Sequence, residues 1–261
     1  MESLEQQLTI KQYRAIKKIG QGALVTVYLA FDQTNHRLCT IKLQKIDHNE
    51  VKKCKSNQAF INEISALKRA KHPFIIELLD SFYWEYQTQV FLWVIVLEHA
   101  DGGDLYDSFI KISAPATEKQ AITWLAEVSL ALAHLNNLNL FQLDLNPQSI
   151  VIIGEKMGGL AKIGEMGFIP TDSFDNDGKV VSASRYYAPE QLNEVAHTKK
   201  NCWSLGIVFY ELLTGGQQPF EIYFNSNIYL TRLPRLELRQ SSLVANETKE
   251  LLKITASKIA Q

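Results

Sequence analysis

Three cysteines in 261 residues, Cys39, Cys54 and Cys202, are too few and too scattered for a disulfide framework, and no C-x-x-C pair offers a zinc site. That pattern implies a reducing, intracellular setting, and the cytoplasm is the expected compartment. An excess of charge of one sign is also missing. Lys and Arg total 27 against 28 Asp and Glu, a net charge of −1. No basic field is therefore present to hold nucleic acid or an anionic membrane surface. Long apolar runs are absent too. The longest, at 90–97, falls far short of the roughly 20 residues needed to span a bilayer. No apolar run follows a basic start, so no secretory signal is expected. Repeats and low-complexity tracts are lacking. What the chain does have is apolar residues, 46% of the total. That is ample for one large domain or two closely joined lobes.

The apolar residues fall into two regimes. After a polar lead-in at 1–12, the segments 15–19, 25–30 and 38–43 are rich in β-branched and apolar residues. Turn-type residues separate them, Gly20 and Gly22 first, then 32–35. This predicts an antiparallel meander. Residues 60, 61, 64 and 67 form one helical face, which His72-Pro73 ends. Two more strands are predicted at 78–85 and 89–97, and a turn at Gly102-Gly103 closes the β-rich part. Beyond it the pattern is mainly helical. A long periodic helix is expected at 118–138, with Thr117 as its N-cap. A short hairpin follows at 150–153 and 160–163, and a nearly all-apolar, buried helix at 202–214.

Between the long helix and the short hairpin lies Phe141-Gln142-Leu143-Asp144-Leu145-Asn146-Pro147-Gln148-Ser149. A buried helix feeding a tight loop with one central acid is a common way to present a catalytic carboxylate. The stretch resembles the protein kinase catalytic loop, H-R-D-L-x-x-x-N. Asp144 is kept, but Gln142, Leu143, Asn146 and Ser149 stand where His, Arg, Lys and Asn are usual. Further partial motifs come in the family's order. Gly20-Gln21-Gly22-Ala23-Leu24-Val25-Thr26-Val27 is similar to the glycine-rich loop, with Val25 in place of the third glycine. Cys39-Thr40-Ile41-Lys42 is similar to V-A-I-K. His72-Pro73-Phe74-Ile75 resembles the link from helix to strand, and Val96-Leu97-Glu98-His99-Ala100 the hinge. Lys162-Ile163-Gly164-Glu165-Met166-Gly167 occupies the place of D-F-G. Ala188-Pro189-Glu190 matches A-P-E, and Asn201-Cys202-Trp203-Ser204-Leu205-Gly206 resembles D-x-W-S-L-G.

The resemblance implies an α+β, two-lobed fold: a β-rich N-lobe at 13–101, with five antiparallel strands and one helix, and a mainly helical, shortened C-lobe at 102–261. It implies that Lys42 meets ATP phosphates and pairs with Glu63. It assigns Ile19, Gly20, Gly22, Val27, Thr40, Leu97, Glu98, Ala100 and Val151 to the nucleotide site, with backbone groups of Glu98 and Ala100 facing adenine. Thr40, where Ala is usual, adds bulk and a hydroxyl against the base. Asp144 is implied as the base, a relic if no phosphate is positioned beside it. Glu165 and Ser149 fall at the metal positions as poor ligands. Mg²⁺ demands near-ideal octahedral geometry, and the extra methylene of Glu165 displaces the carboxylate. Asn146 removes a charge from the γ-phosphate. Asn201 replaces an Asp that anchors the loop, and Lys253 is the nearest stand-in for the arginine that pairs with Glu190. Leu143 removes the arginine that would read a phosphate at Thr171, Ser173, Ser182 or Ser184. Read without a gap, Ala183 stands where a threonine is usual; a one-residue slip puts Ser184 there. The expectation is a pseudokinase that acts through protein partners as a scaffold or allosteric regulator, with weak ATP binding and no need for Mg²⁺. The rivals are a slow serine/threonine kinase and a purely structural subunit.

Overall fold

The computed structural model describes residues 8–22, 25–46, 55–87, 90–140, 145–155, 158–165, 186 and 200–218. The chain divides into two compact units, Met1–Ala100 and Asp101–Gln261. Among the described residues, no helix is long and apolar enough to cross a membrane.

The first unit is a six-stranded antiparallel sheet with one helix. The strands are β1 (Thr9–Ile10), β2 (Tyr13–Gln21), β3 (Val25–Asp32), β4 (Arg37–Ile46), β5 (Leu78–Gln87) and β6 (Val90–Glu98), in the order β1-β2-β3-β4-β6-β5. Helix α1 (Lys55–Arg69) lies between β4 and β5 in sequence and packs on β5. The alternation on β4 sets the core. Cys39, Ile41 and Leu43 are buried on one face with Ile10, Tyr13, Val94 and Val96. Period-2 geometry then turns Thr40, Lys42 and Gln44 to the other face. The five strands expected from sequence are present, and β1 is a sixth. Ile10 is 1% exposed and pairs with Tyr13 across a turn in which Lys11 has φ 52°. The lead-in thus contributes a strand because Ile10 and Tyr13 need a core to bury against.

The second unit is mainly helical with a small sheet, β7 (Gly103–Asp104), β8 (Ile150–Ile153) and β9 (Leu160–Ile163), in that order. The expected turn at the end of the β-rich part is present at Asp101-Gly102, and Gly103 opens β7. Gly102 has no room for a side chain, since a Cβ there would lie 2.7 Å from Ile152. Helix α2 (Glu118–Asn137) begins at Thr117, whose hydroxyl accepts from Gln120 N–H at 3.3 Å. Its buried face carries Ala121, Trp124, Val128, Ala131 and Leu135. Helix α3 (Lys200–Thr214) is buried from Trp203 to Leu205 and again from Ile207 to Thr214. The core of this unit is therefore helix on helix, with β9 against α2.

Candidate functional site

The sequence-selected residues fall in both units. In the first, Lys42 Nζ lies 3.1 Å from Glu63 Oε1, and the two side chains are 10% and 16% exposed. The strand face and the helix face bring them together. Lys42 is turned away from the Cys39–Ile41–Leu43 core, and Glu63 sits beside the buried Phe60, Ile64 and Leu67 of α1. Thr40 lies two residues from Lys42 on the same face and opposite Leu97, which is 2% exposed. Its Oγ1 is 3.2 Å from His99 Nδ1. The Glu98 N–H donates to Glu77 O at 3.0 Å, which removes that N–H from any contact with a base. The Glu98 carboxylate accepts from Glu77 N–H at 2.8 Å. Ala100 is half-buried and Ile19 is 46% exposed. Gly20 lies opposite Val27, and a Cβ there would approach Val27 Cβ to 3.3 Å. The Gly22 N–H donates to Val25 O at 2.8 Å.

In the second unit, Val151 on β8 pairs with Asp104 on one side and Lys162 on the other. Gly164 follows β9, and its N–H donates to Ser149 O at 2.8 Å. A Cβ at Gly164 would sit 2.6 Å from Val151 Cγ1, so a side chain here would have to displace Val151. Glu165 comes next and is exposed.

Ser149 and Asn146, expected as losses of metal and phosphate contacts, have a structural role. The Ser149 hydroxyl donates to Asn146 O at 2.8 Å and accepts from Asn146 N–H at 3.0 Å. Asn146 Oδ1 accepts in return from the N–H groups of Gln148 and Ser149, at 2.9 and 3.1 Å. This reciprocal capping box closes a 3₁₀ turn, Pro147–Ser149, with proline preset at its start. Ser149 is 2% exposed, and Leu145 and Ile150 anchor the turn at 1% each.

Two features were missed from the sequence. Asp104 is half-buried, and its carboxyl is pushed up, first by burial and further by the charges of Asp107 and Glu165, against the pull of the Asp107 and Tyr106 N–H groups. It therefore shares an electrostatic neighbourhood with Glu165. Its signal was its place directly after Gly102-Gly103. The Thr40–His99 contact was the other, and its signal was the strand register. Tyr186 is tied to α3: its hydroxyl donates to the fully buried Glu211 at 2.8 Å, and Ser204 Oγ donates to its carbonyl at 2.7 Å. Asn201 is 4% exposed, and its Nδ2 has no hydrogen-bond partner among the described residues. Asp144 lies outside the described residues, as do Gln142, Leu143, Met166, Thr171, Ser173, Ser182, Ala183, Ser184, Lys253 and the Ala188-Pro189-Glu190 motif.

A lysine–glutamate pair between strand and helix, a hinge strand and a capped loop before a short hairpin together make the α+β protein kinase fold. Residues 13–258 match the family model for the protein kinase domain, and the chain belongs to that family. Among curated relatives, serine/threonine-protein kinase Nek5 of Mus musculus is 33% identical over 213 residues, covering 80% of this chain and 32% of that protein. The putative ribosomal protein S6 kinase alpha-1 of Caenorhabditis elegans is 28% identical over 247 residues, covering 93% of this chain and 30% of that protein. Serine/threonine-protein kinase atg1 of Dictyostelium discoideum is 27% identical over 248 residues, with 93% and 36% covered. The chain thus spans about a third of the length of these relatives. The family uses ATP and Mg²⁺.

Proposed function

We propose that this kinase domain is a pseudokinase: it holds ATP weakly, does so without needing Mg²⁺, and works through contacts with other proteins as a scaffold or allosteric regulator. The observation that carries the reading is the Ser149 hydroxyl. At the place where the family presents an amide oxygen to the second metal ion, this chain has Ser149, a residue 2% exposed whose hydroxyl is already bonded in both directions to Asn146. Releasing it would open the capping box. Glu165 stands where the family has the principal metal-binding Asp, with a side chain one methylene longer. The donor set therefore fits a metal ion poorly. Phosphate oxygens are served better, because Lys42 is held by Glu63 at 3.1 Å. Asp144 remains in the chain, but a base accomplishes little without a positioned phosphoryl group.

The second reading, a slow serine/threonine kinase using Lys42, Glu63, Asp144 and Glu165, is favoured by that same formed ion pair and by relatives that carry kinase names. Melting of the full chain separates the two. A ligand that binds only the folded state raises its stability by RT ln(1 + [L]/Kd). Millimolar ATP is expected to raise Tm equally with EDTA and with Mg²⁺. A shift that requires Mg²⁺ would favour the active kinase, and no shift at all would favour a structural subunit with an empty pocket.

A further inference from the structure

The replacement of alanine by Thr40 puts a hydroxyl where an apolar surface meets adenine in this family. A hydroxyl facing an aromatic base without a partner loses its hydration when the base arrives. The chain supplies a partner. Thr40 stands directly opposite Leu97 in the β4–β6 ladder. His99 lies two residues further on, the diagonal position that a long side chain can reach across an antiparallel pair. Its Nδ1 is 3.2 Å from Thr40 Oγ1, and both residues are half-buried.

The geometry points to His99 as a specificity-determining residue of the nucleotide site, acting through Thr40. By holding the Thr40 hydroxyl, His99 spares the base an unmatched polar group, so a site altered toward polarity still accepts a purine. His99 is a positioning residue in this account, and it need not touch the base. The inference rests on the reading of this face as an ATP site. It differs from a simple steric view of Thr40, in which the added bulk alone decides affinity and His99 is irrelevant. Lys42, two residues along the same face, meets phosphates in either case and is common to both views.

The test is a double-mutant cycle on the full chain, with ATP as the probe and EDTA present. Thr40→Val removes the hydroxyl and keeps the volume. His99→Ala removes the partner from a half-buried hinge position. With Thr40 intact, His99→Ala is expected to weaken ATP binding about fivefold, the low end for stranding a partly buried hydroxyl. In the Thr40→Val background the same change is expected to leave the affinity within about twofold, because no hydroxyl remains to be stranded. Equal effects of His99→Ala in both backgrounds would overturn the proposal. A wild-type chain that binds no ATP would overturn it together with the reading beneath it. The contact is read separately by NMR of the His99 ring nitrogens. Their signals should change on Thr40→Val, and unchanged signals would show that the pair does not form in solution whatever the nucleotide result.

Discussion

Breaking the Lys42–Glu63 pair should destabilise the first unit even without nucleotide. At 3.1 Å and an effective dielectric of about 20, two unit charges attract by roughly 5 kcal/mol. Desolvation takes back much of that, so the pair itself adds little net stability. Removing one member is a different matter, since the other keeps its charge in a site only 10–16% exposed. Lys42→Met alone should therefore cost about 3 kcal/mol, the low end for a buried pair because neither side chain is fully sealed, and Glu63→Leu up to that, since Lys42 has a further contact. For a chain of this size that is a fall in Tm of about 6–12 °C. The double variant, with both charges gone and both volumes kept, should recover to within about 1 kcal/mol of the wild type. Thermal and urea unfolding of the four proteins, without ligand, give the coupling energy directly. A double variant as unstable as the sum of the two singles would refute the reasoning. It would mean that the two side chains contribute separately and that the pair does not tie α1 to β4.

Two further predictions concern the second unit. Gly164→Ala places a methyl 2.6 and 2.9 Å from the two Val151 methyls, so it should destabilise by about 1–3 kcal/mol; adding Val151→Ala leaves 3.4 Å to the remaining Cβ and should restore most of the loss, as urea midpoints would record. Glu127 is buried on α2, and burial raises its carboxyl despite the bond it accepts from the Ala161 N–H at 2.7 Å. A raised folded value means that its contribution to stability is full below the ordinary carboxyl value of about 4.5 and is lost as pH climbs through the folded value. Glu127→Gln should gain on the wild type as pH rises from 4 toward 7, and unfolding curves that stay parallel across that range would count against this.

Much of the fold could be read from the sequence because its signals are local and long. Helix α2 was expected at 118–138 and runs Glu118–Asn137, since a strong 3.6-residue period and a threonine cap both mark it. The β8–β9 hairpin was placed to the residue, because two short apolar runs flank a pair of glycines. Strand β1 was not foreseen: it is two residues long, and its turn uses Lys11 at φ 52° where a glycine or asparagine would have been the signal. Helix α1 starts at Lys55, ahead of its first expected apolar position, because its first turn is polar in sequence and helical only by continuation.

The site was legible as a set of positions and less so as chemistry. The Lys42–Glu63 pair, which the resemblance implied, is formed at 3.1 Å. In the sequence, Ser149 and Asn146 show only as departures from a pattern. Their reciprocal bonds depend on the turn geometry that proline creates, and Asn-x-x-Ser is not the usual spelling of a capping box. His99 gave no signal until register put it diagonal to Thr40.

Phosphate transfer tests the central claim most directly. The full chain would be incubated with labelled ATP, Mg²⁺ or Mn²⁺, and generic protein substrates, alongside an Asp144→Asn control. The account predicts no incorporation above the control, into substrate or into the chain itself, because Ser149 is engaged in its own loop and Glu165 replaces the metal-binding Asp. Transfer that is present in the wild type and abolished by Asp144→Asn would contradict it, and the domain would then be a working kinase.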